Sequence, residues 1–159
     1  MLDIIFLFKF VHVVAAGAMF GCWLCIFVLM LQAHHSHNPS VVALTARFIV
    51  NVEKFVMIAA LALPAASGFP LAWTIGVSAL DEFWIVVALV VYAIVAAAWF
   101  GALRTEITIR NLAQEAALAP KPLPQRYRRL FWTWAALAAV ILPGMIALFF
   151  LMIWQPRLD

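Results

Sequence analysis

Residues 10–33 read FVHVVAAGAMFGCWLCIFVLMLQA, an apolar run that contains no Asp, Glu, Lys or Arg and a single imidazole, His12, near its start. A helix rises 1.5 Å per residue, so roughly 20 apolar residues cross a ~30 Å hydrocarbon core. This run is long enough, and three more follow at 55–75, 83–103 and 130–154, each free of the same four residue types. The chain is 68% hydrophobic and 11% charged, with a mean hydropathy of +1.09. A soluble domain carries about 25% charged residues, so this chain has too little polar surface to face water. The expectation is an all-α integral membrane protein. It forms one four-transmembrane-helix bundle over residues 1–159, with helices at about 4–33, 46–74, 83–117 and 128–154.

The formal net charge of +3 raises the question of nucleic acid, and its distribution answers it. Arg104, Arg110, Lys121, Arg126, Arg128 and Arg129 lie between the third and fourth apolar runs, and Arg47 and Lys54 at the start of the second. The other side has Asp3, Asp81, Glu82 and Asp159 with only Lys9 and Arg157 as cations. This is the positive-inside pattern. It predicts no nucleic-acid partner, and it predicts that both termini and the Gly76–Glu82 turn are extracytoplasmic. Met1-Leu2-Asp3 lacks the basic start of a cleavable signal peptide, so the first run is read as a retained helix.

Depth, counted from the extracytoplasmic helix ends, puts His12, Tyr92, Pro64, Pro143 and Met145 at about 12–17 Å. An ionisable side chain at such depth is a functional-site hypothesis by default. A histidine, a tyrosine and two proline kinks at one level suggest a cavity or cofactor pocket, the alternative being a hydrogen-bonded His12–Tyr92 pair that ties two helices together. Lys9, His12, Ala16, Met19 and Trp23 share a helical face, and neutral imidazole is a common axial haem ligand. The remaining histidines are at the far end of helix one, with His34 roughly 33 Å away. A haem on His12 would therefore be five-coordinate, use Met145 or Tyr92, or lie across a subunit interface.

Three further features carry weaker signals. His34, His35 and His37 form a short histidine tract of the kind that can hold a transition metal, or a solvated loop. Cys22-x-x-Cys25 inside a helix lacks disulfide geometry and reads as small packing residues, and Gly17-x-x-x-Gly21 allows close helix approach. At the cytoplasmic end Glu53, Lys54, Glu106 and Arg110 form a polar cluster in which Glu106 and Arg110 are an i, i+4 pair. That cluster is either an anion-binding group or a charge-paired helix end at the headgroup level.

Several stretches in order resemble a known family: Lys9-Phe-Val-His12, Pro64-x-x-x-Gly68, Trp99 with Arg104-Thr-Glu-Ile-Thr-Ile-Arg110-Asn-Leu-Ala, Leu123-Pro-x-x-Tyr127-Arg128-Arg129-Leu, Trp134, and Leu151-Met-Ile-x-x-Pro156. Over nearly the whole chain they resemble the bacterial inner-membrane proteins grouped as domain of unknown function 2269. That family looks like a distant relative of the HemJ-type protoporphyrinogen oxidases and the CopD-type copper-resistance membrane domains. The HemJ resemblance implies haem b on His12. Helix three has Tyr92 and Trp99 in place of the HemJ-type lysine. The copper relatives imply Met and His near the extracytoplasmic face, where Met152 stands nearly alone and His12 is counted as too deep.

Together these readings lead to a haem b-binding redox protein of the bacterial inner membrane. His12 is its axial ligand, with Lys9, Met19, Tyr92 and Met145 around the cofactor. Its partners would be quinone or a porphyrin, and a homodimer or larger membrane complex is compatible. The alternative is a non-enzymatic small helical subunit of a larger membrane complex.

Overall fold

The computed structural model of the chain describes residues 2–74, 76–78, 81–119 and 121–156. The side chain of Asp3, and Arg157 and Asp159, which carry part of the expected charge bias, lie outside the described residues. Five α-helices run in order: α1 (Leu2–His35), α2 (Pro39–Val52), α3 (Ile58–Thr74), α4 (Phe83–Leu118) and α5 (Gln125–Trp154), with a wider π-helical turn at Glu53–Met57 joining α2 to α3. Four helical stretches among the described residues are long and apolar enough to cross a membrane: Ile4–His35, Pro39–Thr74, Phe83–Leu118 and Gln125–Trp154. The outward surface agrees with that reading. Phe6, Leu44, Phe55, Trp73, Trp132 and Ile153 all project from the bundle, an apolar exterior that suits lipid and not water. The chain is an all-α, multi-pass integral membrane protein in contact with the lipid bilayer.

Local chemistry sets the ends. Asn38 caps α2 by accepting the Ser40 N–H at 2.9 Å, and Pro39 occupies the first turn, where its missing N–H costs nothing. The second helix therefore begins at Pro39, ahead of the expected residue 46, as a polar-ended extension of the apolar run. His37, at φ 54°, makes the reversal between α1 and α2. Pro124 precedes α5, and a proline there suits a helix start.

The interior is built from alanines and stacked aromatics. Ala46, Ala98, Ala102, Ala113 and Ala138 are buried at helix contacts, where small side chains let backbones approach. Gly144 extends this: a Cβ there would lie 2.5 Å from Val95 Cγ2, so α4 and α5 touch at that point. Trp134 lies between Trp23 and Phe27, with ring centroids 6.3 and 5.9 Å away and nearly parallel planes. Gly17 and Gly21, by contrast, face outward with nothing near them, so the glycine pair makes no helix contact within the chain.

The second membrane crossing changes partner halfway: α2 packs on α4, whereas α3 packs on α1. The change falls at the π-helical turn, where one extra residue per turn rotates the following segment relative to the preceding one. As α3 leaves α4, space opens between them at the end of the bundle that holds the N-terminus of α1.

Candidate functional site

That space is a cavity of about 230 Å³ lined by all four crossings, including Lys9 and His12 from α1, Pro64 and Gly68 from α3, Tyr92 from α4 and Met152 from α5. Almost all of its wall is apolar, and Lys9 and Gln155 contribute polar side chains.

Pro64 sits inside α3 and has no N–H to give to the helix ladder. Its own carbonyl is taken by another helix: His12 Nδ1 lies 2.9 Å from Pro64 O. A carbonyl only accepts, so Nδ1 carries the proton and donates, and in the neutral imidazole Nε2 is left with its lone pair. Ser67 Oγ, which donates to Leu63 O at 2.6 Å, stands 3.2 Å from the same Nδ1. Gly68 makes room for the ring, since a Cβ there would lie 3.2 Å from His12 Cε1 and 3.4 Å from Nδ1. One helical turn of α3 thus orients the imidazole by a carbonyl, a hydroxyl and an absent side chain.

The free Nε2 faces α5, where Met152 Sδ is 3.4 Å away. Both are electron-pair donors in this tautomer, and a borderline nitrogen beside a soft sulfur is a pairing that transition metals accept. An imidazole whose other nitrogen donates to a backbone carbonyl is also the usual arrangement of a metal-ligating histidine. Tyr92 does not pair with His12. Its hydroxyl donates to Leu61 O, bridging α4 to α3 across the opening.

The predicted cofactor residues separate into two groups. His12, Lys9 and Tyr92 share the cavity. Met19 and Met145 do not line it; both are buried in the hydrophobic core. Pro143 lines a different apolar recess beside His34 and Trp134. Counting depth from helix ends misplaced the α5 residues because the helices do not end at one level: His12, ten residues into α1, meets Met152, two residues before the end of α5. His12 is thus level with Met152 and not with Met145. Met152 is seven residues beyond Met145 on one helical face, which is the sequence signal that could have found it.

The polar cluster at the other end is also rearranged. Glu53 and Glu106 are completely buried and come together, while Lys54 is exposed. Arg110 does not pair with Glu106: its Nε and Nη2 donate to Asn111 Oδ1 at 3.1 and 2.9 Å. Glu106 lies on the inward face and Arg110, one turn on, is at the bundle edge, so no assembled arginine fork for an anion exists there. The three histidines of the tract turn to separate oxygens: His34 Nδ1 to Tyr127 Oη at 3.1 Å, His35 Nδ1 to Leu31 O at 2.8 Å and His37 Nδ1 to His35 O at 2.7 Å. No group of three metal-binding His, Cys, Asp or Glu side chains occurs among the described residues.

The model of the DUF2269 family, described as a predicted integral membrane protein, matches residues 6–156, and the chain belongs to that family. No curated protein and no solved structure matches it significantly.

Proposed function

We propose that this DUF2269 protein is a haem b-binding redox protein whose axial ligand is His12 Nε2. The observation that carries the reading is the 2.9 Å contact from His12 Nδ1 to Pro64 O, which fixes the neutral tautomer and aims the lone pair of Nε2 away from α3. The donor set fits haem iron, for which histidine and methionine are established axial ligands. Met152 Sδ lies against Nε2, so a ligand taken by Nε2 meets Met152 at once, as a co-donor or as a flexible side chain to displace. Lys9 at the cavity wall is suited to a carboxylate of the cofactor or of a porphyrin substrate. The apolar remainder excludes water and suits a flat hydrophobic ring or a quinone. When bound, haem supplies a one-electron couple; the chain supplies the ligand, its orientation and a dry surrounding.

The test is the oxidised and dithionite-reduced visible spectrum of the detergent-purified protein expressed with ample haem. A Soret band with reduced α and β bands, lost in His12→Ala and shifted in Met152→Leu, is the expected result. A colourless protein would defeat the redox reading and favour the second one, a non-enzymatic helical subunit of a larger membrane complex. The observation behind that second reading is that both His12 Nδ1 contacts already serve to tie α1 to α3.

A further inference from the structure

A second concentration of polar atoms lies far from the cavity. Along α4, Glu106 is 14 residues beyond Tyr92, about 21 Å at 1.5 Å per residue. Glu53, at the start of the π-helical turn, and Glu106 are both 0% exposed. Each gives one oxygen to an indole: Trp99 Nε1–H donates to Glu53 Oε1 at 3.2 Å, and Trp134 Nε1–H to Glu106 Oε1 at 2.6 Å. Neither Oε2 finds a donor among the surrounding side chains, and the buried Nε1–H of Trp23, which stacks on Trp134, has no acceptor.

The two carboxyls lie beside one another. Ionised carboxylates only accept, so the two unpartnered Oε2 atoms can satisfy one another only if one of them carries a proton. Two adjacent bare carboxylates in a dry interior would be very costly, and among the described residues no cation pairs with them. Lys54 and Arg47 are exposed, and Arg110 is turned to Asn111. On the other packed helices, Tyr127 of α5 meets His34, and Cys22 of α1 is the neighbouring titratable side chain on the Glu53 side. The remaining way to lower the charge of the pair is protonation: one proton leaves a single negative charge spread over both carboxyls, and a second leaves none.

We infer that Glu53 and Glu106 form a proton-binding site, sharing a proton at rest and exchanging it with water on the side of the α1–α2 turn. Release sends the bridging proton to that water and leaves two carboxylates, each still held by one indole N–H; uptake reverses the step. The π-helical turn gives the backbone around Glu53 a ladder looser than an α-helix, and the unused Trp23 N–H is a further buried donor in the same aromatic stack. This site stands independently of the His12 reading, because it shares no residue with the cavity.

The experiment is infrared spectroscopy of the full-length protein in lipid, in H₂O and D₂O, across the pH range in which it stays folded. A solvated carboxyl is ionised at neutral pH, so the carbonyl stretch of a protonated carboxyl there reports a buried one. We expect that band in the unmodified protein, shifted by D₂O, lost as pH rises, and absent from the Glu53→Gln/Glu106→Gln double variant. Tryptophan fluorescence should change with the same midpoint, through Trp99 and Trp134. Glutamine keeps the size of each side chain and an oxygen for its indole N–H, and the unmodified protein carries the primary test whether or not the variant folds. Absence of the band in the unmodified protein, its persistence in a folded double variant, or a band indifferent to both D₂O and pH would overturn the assignment.

Discussion

His12 Nδ1 and the carbonyl oxygen of Pro64 are 2.9 Å apart across 52 residues of sequence. A helix-breaking residue and a buried imidazole thereby answer each other's needs. The proline loosens the ladder of α3, and the histidine, which must find an acceptor in an apolar interior, takes a carbonyl from that segment. The contact joins α1 to α3 and leaves Nε2 available on the cavity side.

His12→Ala removes this bond. The expected loss is about 1–2 kcal/mol of stability from one buried hydrogen bond, read as a lower thermal midpoint in detergent. If His12→Asn recovers stability without recovering any visible spectrum, the tie to α3 and the ligand role are separate properties of one side chain. Equal stability of the alanine variant and the unmodified protein would contradict the geometry.

Gly68→Ala tests the seat of the ring. The new Cβ would stand 3.2 Å from His12 Cε1 and 3.4 Å from Nδ1, so the imidazole, held by Pro64 O, must give by a few tenths of an ångström. Overpacking of this kind costs about 1–3 kcal/mol. The outcome to look for is a destabilised protein whose His12-dependent absorbance, if haem is bound, is shifted or weakened, while Gly17→Ala, with nothing near its Cβ, leaves both unchanged.

The fold was largely legible in the sequence because hydrocarbon permits few solutions: uncharged runs long enough to span a bilayer must be helices. His12 and Tyr92 were brought to one level by counting depth, and Lys9 by sharing a helical face with His12. Met152 was not, because counting presumes that all helices end at the same level, whereas α1 runs on past the end of α5. The pairing of Glu53 with Glu106 was also out of reach. An i, i+4 Glu–Arg spacing suggests a surface ion pair, whereas here packing turned one partner inward and left the other at the edge. Nor does the run NVEKFVM announce a π-helical turn, which depends on α2 and α3 finding different partners.

Gly144→Ala addresses the contact between α4 and α5. Its Cβ would meet Val95 Cγ2 at 2.5 Å, a distance that forces the helices apart. A loss of about 1–3 kcal/mol is expected, and Val95→Ala in the same chain should return part of it by removing the clashing methyl groups. The double-mutant cycle in thermal or denaturant unfolding gives the coupling. Strictly additive effects would mean that the two residues do not touch.

The last expectation concerns the two indoles that hold the acids. Trp134 donates to Glu106 at 2.6 Å and Trp99 to Glu53 at 3.2 Å, so the first bond is the stronger. Phenylalanine at either position keeps a ring but deletes the N–H, leaving a fully buried carboxyl oxygen without its donor. Hydrogen bonds to charged groups contribute about 1.5–3 kcal/mol, which sets the scale for Trp134→Phe; Trp99→Phe should cost less. Trp134 also lies between Trp23 and Phe27, so part of its loss would come from stacking. The way to separate the two is to repeat Trp134→Phe in a Glu106→Leu background, where no acceptor remains to be stranded. If the substitution costs as much there as in the unmodified protein, the indole acts by packing alone and the hydrogen bond adds nothing. If most of the cost disappears, the N–H of Trp134 is what makes a buried carboxyl at Glu106 tolerable.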